Sequence, residues 1–189
     1  MIINTLPREE YSMHSELETL FEKSGFNDFK WIEAKEIVVS QWVRFKCMFG
    51  CPSYGIIGTC PPNIPPITEC REFIYEYKTA VVFHLEKLLN ETEDRVAWGK
   101  KVSSKLYRLE KEVFLAGYYK AFLANFTSCR LCAECTGFRQ DCKNQTHARP
   151  VPEALGIDVF TTVRKIGYPI NVLKDQQETM NRYAFLLLE

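Results

Sequence analysis

The chain has 189 residues, 46% of them hydrophobic, and its 24 basic and 24 acidic residues give no net charge. This is the composition of an ordinary soluble globular protein. A neutral chain without a lysine- or arginine-rich run argues against nucleic acid or an anionic membrane as its main partner. The longest apolar stretches, residues 79–83 and 184–188, are far shorter than the ~20 residues of a membrane helix. No signal-peptide pattern opens the chain, so we expect a cytoplasmic protein. The simplest organisation is one domain over residues 1–189, with residues 1–28 as an N-terminal helical lead-in.

The first predicted element is a short helix. Residues 15–18, Ser-Glu-Leu-Glu, form a capping box that predicts the helix start, and Gly25 predicts its end. Two segments rich in β-branched and aromatic residues follow, at residues 32–40 and 42–46. We expect both to be extended and to lead into the first cysteine.

The middle of the chain predicts a helix, a strand and a longer helix. Thr68 is placed to cap a helix whose first turn contains Cys70 and whose body covers residues 71–77. A thiolate there would lie near the positive end of the helix dipole, which favours its ionised form. Residues 80–85 are a β-rich run, and the capping pattern at residues 90–93 begins a long helix with apolar residues at helical spacing.

The C-terminal part predicts one more helix and two closing strands. The prolines at 150 and 152 begin a helix that continues to Gly167, and residues 168–173 and 183–188 look like strands. Helices and strands do not alternate in a βαβ rhythm. We therefore predict an α+β fold: a small β-sheet flanked by helices, with two cysteine-rich metal-binding loops on one side.

The eight cysteines are the most informative feature of the sequence. They form two groups of four, spaced C-x3-C-x8-C-x9-C and C-x2-C-x2-C-x6-C. Disulfides need an oxidising compartment, and inert buried thiols would not cluster at ligand spacing. Metal binding is therefore the prediction for all eight. They are Cys47, Cys51, Cys60, Cys70, Cys129, Cys132, Cys135 and Cys142.

The second group favours an iron–sulfur cluster. Three thiols within seven residues, Cys129, Cys132 and Cys135, can curl around three corners of a [4Fe–4S] cubane, as in bacterial ferredoxins. Zinc also accepts four thiolates, but it usually takes them from two separated C-x2-C knuckles. Cys142 is the natural fourth ligand. We favour [4Fe–4S] here, with Zn²⁺ as the alternative.

The first group predicts a second [4Fe–4S] site, again with Zn²⁺ as the alternative. Cys47, Cys51 and Cys60 are expected in loops rich in proline and glycine, where free backbone N–H groups can point at sulfur. The spacing does not match the C-x3-C-x2-C pattern of radical S-adenosylmethionine enzymes. Spacing alone leaves open whether Cys70 and Cys142 exchange between the two sites.

Several other residues near the cysteines are candidates for supporting roles. Arg149 and His147 follow the second group and are predicted to lie in the shell around its cluster. Glu153 and Asp158 have the chemistry of catalytic acids, but polar roles near a helix start explain them more simply. Aromatic residues near the cysteines are expected to shield the clusters from water; they are Trp42, Phe45, Phe49, Tyr54 and Phe138.

The sequence resembles the eight-cysteine family of predicted metal-binding proteins known as domain of unknown function 2284. The resemblance includes every cysteine and runs from about residue 30 to the C-terminus. Its motifs are Cys47-x3-Cys51-Pro52, Cys60-Pro61-Pro62, Cys70-Arg71-Glu72, residues 114–122, the second cysteine group, Ala148-Arg149-Pro150 and residues 156–159. It implies eight ligand candidates and a small protein of a type common in anaerobic prokaryotes, and it implies no reaction. Val151 stands where the family commonly has serine.

Three functional hypotheses follow. The first is a protein with two [4Fe–4S] clusters that passes electrons to or from partner proteins, with transfer between neighbouring clusters. The second is an oxidoreductase component with a substrate or cofactor pocket at one cluster. The third is a binding module stabilised by two Zn²⁺ ions. Nucleotide-binding and acyl-transfer motifs are missing from the sequence, so an electron-transfer or accessory redox protein is favoured over a stand-alone enzyme.

Overall fold

The computed structural model describes residues 8–88, 92–175 and 178–189, with side chains from residue 14 onward and, in the long helix, from residue 95. The described chain contains five α-helices and four strands, which confirms the α+β class. The helices are α1 (Arg8–Lys23), α2 (Gln41–Gly50), α3 (Ile67–Tyr75), α4 (Thr92–Leu115) and α5 (Val159–Lys165). The strands are β1 (Phe29–Glu33), β2 (Thr79–Leu88), β3 (Phe122–Ala124) and β4 (Thr179–Leu187). Short 3₁₀ turns span Ala34–Glu36 and Pro152–Leu155.

The four strands form one antiparallel sheet in the order β1-β2-β4-β3. Val82 lies opposite Phe185 in the central pair, and Leu123 lies opposite Leu186 at the β3 edge. β2 is apolar at successive positions rather than at alternate ones, and its residues from Ala80 to Phe83 are all buried. A strand with this pattern must be covered on both faces.

Each face of the sheet therefore has its own hydrophobic core. On one face, Phe21 of α1 and Leu109 of α4 pack with Val81, Phe83 and other side chains of the sheet. Full burial of such a side chain contributes about 1.5–3 kcal/mol to folding. On the other face, α3, α5 and the second 3₁₀ turn pack against the sheet. Cys70 belongs to this second core, so one predicted metal ligand is built into the body of the fold.

Segments around the first cysteine group differ from the sequence prediction. Residues 42–46 are not extended but belong to α2, and of residues 32–40 only the first two continue β1. The physical reason is tertiary packing: Val43 is buried, and Arg44 of the same helix donates to the carbonyl of Ala154 in the second 3₁₀ turn. A segment this short has no strong helical preference of its own, so its partners decide its conformation.

The N-terminal helix also begins earlier than predicted. Ser15 lies inside α1, where its carbonyl accepts from the Thr19 hydroxyl, so the capping-box prediction is wrong. The predicted end is confirmed, because Gly25 follows the helix with a φ of +83°, a conformation that favours glycine. α3 begins one residue before Thr68, with Pro66 at its N-cap, and Cys70 lies in its first turn as predicted.

The remaining predictions have mixed outcomes. The strand at residues 80–85 and the long helix are confirmed as β2 and α4, while Asn90 and Glu91 of the predicted helix start lie outside the described residues. The helix predicted from Pro150 to Gly167 is interrupted at Gly156, whose φ is +80°. It divides into the 3₁₀ turn and α5.

The two predicted closing strands reduce to one. β4 contains most of residues 183–188, but residues 168–173 form no strand. Tyr168 and Ile170 are instead buried as irregular chain in the second core, which explains their apolar character. β3 was not predicted because it has only three residues. No helix in the described part of the chain has both the length and the apolar character of a membrane span.

Candidate metal centre

All eight cysteines lie in described parts of the chain, and each carries a free thiol. In the first group, Cys47 lies in the last turn of α2 and not in a loop as predicted. Cys51 is the C-cap of this helix, and its N–H donates to the Cys47 carbonyl. Cys60 is buried in the irregular chain that follows, and Cys70 is buried in the first turn of α3. The four residues thus come from two helices and the loop between them.

The second group lies entirely in irregular chain between β3 and the second 3₁₀ turn, and its four thiols are half-buried. Burial raises the pKa of Cys129, as do the neighbouring thiolates of Cys142, Cys135 and Cys132, while the Leu131 N–H lowers it. Cys129 is therefore close enough to the other three to be affected by their charge. Within the described residues, no three His, Cys, Asp or Glu side chains converge closely enough to hold a single metal ion.

The two groups are in contact with each other. The Gly58 N–H donates to the Cys135 sulfur at 3.4 Å, and the Asn63 side-chain amide donates to the Gly137 carbonyl at 2.9 Å. Burial raises the pKa of Cys60 to about 12, and thiolates from both groups add to the effect: Cys51 and Cys47 from its own group, then Cys129 and Cys135 from the other. The fold therefore brings the two groups together into one thiol-rich region.

Cys70 has different surroundings from the other members of its group. Its side chain is 3% exposed, its thiol donates to the Pro65 carbonyl at 3.4 Å, and Arg44 Nη2 contacts its sulfur at 3.7 Å. Burial raises the pKa of Cys70, while the charge and hydrogen bond of Arg44 lower it. Among the described residues, Arg44 and Glu69 are the charged groups that act on Cys70. The structure thus places the Pro65 carbonyl and the Arg44 guanidinium against the Cys70 sulfur.

Hydrogen-bond donors to sulfur are present at three of the cysteines beyond Cys70. Besides Gly58 on Cys135, the Asn144 side-chain amide donates to the Cys132 sulfur at 3.1 Å, and the Leu131 N–H bonds to Cys129. N–H donors of this kind stabilise thiolate ligands and shift the potential of a bound cluster. Sequence reasoning missed Asn144, although a polar residue just after Cys142 was an available signal. Two groups of four free thiols match the donor set of either an iron–sulfur cluster or a Zn²⁺ ion.

The two residues predicted to surround the second cluster have partners of their own. Arg149 Nε donates to Glu110 Oε1 at 2.7 Å, and its Nη1 donates to the Thr146 and Ala148 carbonyls. The ring of His147 pairs with the Thr146 hydroxyl at 2.9 Å. The ion pair of Arg149 with Glu110 therefore connects the segment that follows the second group to helix α4. A role of either residue at a cluster remains a prediction.

Of the five aromatic side chains predicted to shield the clusters, Tyr54 is half-buried and the other four are exposed. Trp42, Phe45, Phe49 and Phe138 are all more than half exposed, and Phe49 is 76% exposed. The rings of Phe45 and Phe49 stack on each other with centroids 6.1 Å apart. These rings face solvent on the same helix that carries Cys47. They make an exposed apolar patch beside the thiols, and shielding of a cluster by Trp42 or Tyr54 stays a prediction.

A cavity of about 710 Å³ opens beside the first group. Cys47, Cys51 and Cys60 line it, whereas Cys70 does not. Of the two acids considered as catalytic, Asp158 caps α5 by accepting from the Thr161 N–H and hydroxyl. Glu153 lines the cavity, and burial raises its pKa.

The fold and the site define an α+β protein with two contacting groups of four free thiols. The family model of the predicted metal-binding proteins called DUF2284 matches residues 30–188, so the chain belongs to this family. The match includes every cysteine and confirms the resemblance read from the motifs. Comparison with curated proteins and with solved structures gives no significant match.

Proposed function

We propose that this protein holds two [4Fe–4S] clusters and passes single electrons between partner proteins in the cytoplasm. The observation that carries the proposal is the contact between the two cysteine groups, through the Gly58 N–H and the Cys135 sulfur. A bound [4Fe–4S] cluster supplies one-electron chemistry, and electrons move between clusters only when these lie close together. The contact supports a two-cluster path through the protein.

The ligand assignment follows the two groups. Cys129, Cys132, Cys135 and Cys142 hold the second cluster, and Cys47, Cys51 and Cys60 hold the first, with Cys70 as its predicted fourth ligand. A cubane with four thiolates carries a charge of about −2 in its oxidised form. Reduction adds one more negative charge, and the N–H groups of Gly58, Leu131 and the Asn144 side chain stabilise the reduced cluster more than the oxidised one, which raises the reduction potential.

The exposed patch on α2 supports docking of a redox partner. Phe45, Met48 and Phe49 are exposed along the helix that carries Cys47, and Ile56 and Phe138 are exposed near the other cysteines. Exposed apolar side chains grouped on one surface mark interaction sites more often than chance. Electron-transfer complexes use small interfaces of this kind, which exchange partners quickly.

The test is to count iron, zinc and acid-labile sulfide per chain in anaerobically purified protein. About eight iron and eight sulfide, with visible absorption that dithionite bleaches, are expected for two cubanes. Cys129→Ala should lower the iron to about four per chain, because it removes one ligand of one cluster. Ser128→Ala is the matched control and should leave the count unchanged. About two zinc and no sulfide would overturn the proposal in favour of the zinc-stabilised module.

A second candidate function is an oxidoreductase component with a substrate pocket at the first cluster. The cavity beside Cys47, Cys51 and Cys60 favours it, since Cys70 is outside the cavity and contacts Arg44. A cluster with three protein ligands leaves one iron open to a substrate. Cys70→Ala should then keep about eight iron per chain, whereas Cys60→Ala should lower the count to about four. Equal losses in both variants would favour four protein ligands and electron transfer alone.

A further inference from the structure

We infer that the cavity beside Cys47, Cys51 and Cys60 binds a planar organic anion, an aromatic ring system that carries a carboxylate or phosphate group. This inference deepens the second candidate function and rests on it for the identity of the neighbouring cluster. It concerns binding alone and rests on the charge, the unpaired donor and the apolar surface of the cavity wall.

Cationic side chains outnumber carboxyl groups around the cavity. Four cationic side chains line it, and they come from four separate parts of the chain: Lys46, Arg95, Arg130 and Arg182. Among the described residues, two carboxyl groups line the cavity with them. Both carboxylate oxygens of Asp158 accept hydrogen bonds from Thr161 at the start of α5, and Glu153 interacts electrostatically with Arg182. Arg95 is half-buried whereas the other three are exposed, so the attraction of Arg95 for an anion is the least screened by solvent.

Arg95 provides the most specific indication of an anionic group. Its Nε is buried and has no hydrogen-bond partner among the described residues. A buried donor without a partner is costly, particularly on a charged group. Arg95 also lines the cavity, and its guanidinium fork matches two oxygens of a carboxylate or phosphate. Arg95 is therefore the residue that we expect to bind the ligand's charge.

The rest of the wall suits an aromatic ring system. Trp42 and Trp98 both line the cavity, and Trp98 packs edge-to-face on Phe126, another lining residue, with centroids 5.2 Å apart. A volume of about 710 Å³ lies within the range of sites for small organic molecules. Arg95 and Trp98 belong to α4 and Arg182 to β4, two elements without a cysteine. Charge balance for a cluster would explain cations beside the cysteines, but it would not explain indole rings.

The test uses a matched pair of probes on the anaerobically purified protein. 8-Anilinonaphthalene-1-sulfonate carries the anionic group, and N-phenyl-1-naphthylamine has the same rings without it. Equilibrium dialysis in phosphate-free buffer measures the binding of both. We expect one sulfonate probe per chain, bound about tenfold or more weakly by Arg95→Gln, because a charge-assisted hydrogen bond is lost. Binding of the uncharged probe should change less than about twofold in that variant.

Controls separate this inference from general effects. Arg108→Gln changes an exposed arginine of the same helix outside the cavity and should leave both probes unaffected. Arg182→Gln is the second variant if Arg95→Gln does not fold, and it should weaken the sulfonate probe in the same way. The inference is wrong if wild-type protein does not bind the sulfonate probe. It is also wrong if Arg95→Gln binds as wild type does, or if the Arg108 variant loses as much binding.

Iron and sulfide counted on the same samples distinguish this inference from the proposed function. If protein with about eight iron per chain does not bind the sulfonate probe, the proposed anion site is wrong and the proposed electron transfer is unaffected. Zinc-loaded protein that binds the probe through Arg95 would support the anion site and overturn the clusters. If Arg95→Gln loses iron instead of probe affinity, the arginine serves the cluster and the inference fails.

Discussion

Replacing Arg149 by methionine should destabilise the protein strongly, because it leaves a buried carboxylate with one donor fewer. The Glu110 side chain is 8% exposed, and its Oε1 accepts from Arg149 Nε at 2.7 Å and from the Leu123 N–H at 2.9 Å. Removing one partner of a buried ion pair costs about 3–5 kcal/mol. We expect the lower end, about 3 kcal/mol, because Arg149 is 22% exposed and the Leu123 N–H remains.

The measurement is urea unfolding of anaerobically purified protein, followed by circular dichroism. Arg108→Met, on an exposed position of α4, is the control and should change the free energy of unfolding by less than about 0.5 kcal/mol. Glu110→Gln combined with Arg149→Met removes the unpaired charge and should recover a large part of the loss. A change below about 0.5 kcal/mol in Arg149→Met, or no recovery in the double variant, would refute the reasoning.

Two further predictions test the contact between the cysteine groups and the hydrogen bonds of Asp28 to His84 and Tyr168. A Cβ at Gly58 would lie 3.1 Å from the Phe138 carbonyl oxygen, so Gly58→Ala should lower the free energy of unfolding by about 1–3 kcal/mol in the same assay. Gly50→Ala, which meets nothing within 4 Å, should have no such cost, and equal stability of the two variants would contradict the contact. Burial raises the pKa of Asp28, but the hydrogen bonds from His84 and Tyr168 outweigh it and leave the pKa below 3.8. The carboxylate thus stabilises the fold above that pH and stops doing so as the pH falls through its folded pKa. Tyr168→Phe removes one of these hydrogen bonds. The difference in free energy of unfolding between this variant and wild type should therefore decrease between about pH 5 and pH 2. A difference that stays constant over that range would contradict the prediction.

Local patterns determined much of the fold. β2 and α4 were predicted from the sequence because each has a strong pattern over many residues, and Gly25 and Gly167 marked helix ends because their positive φ favours glycine. The cysteine spacing determined the two groups and the family. Short segments were less certain from pattern alone. α2 was mistaken for a strand, since the burial of Val43 and the hydrogen bond from Arg44 to Ala154 decide its conformation, and both depend on distant residues.

Only the tertiary structure decided how the site is assembled. Spacing shows which thiols share a loop, but it does not show that Gly58 meets Cys135 or that Cys70 lies against Arg44. These contacts join residues far apart in the chain, and their proximity depends on how the helices and loops pack around the antiparallel sheet. The cavity has the same origin, because Arg95 and Arg182 reach it from α4 and β4. Sequence therefore determines the chemistry of the thiols, and the packing of distant elements determines what surrounds them.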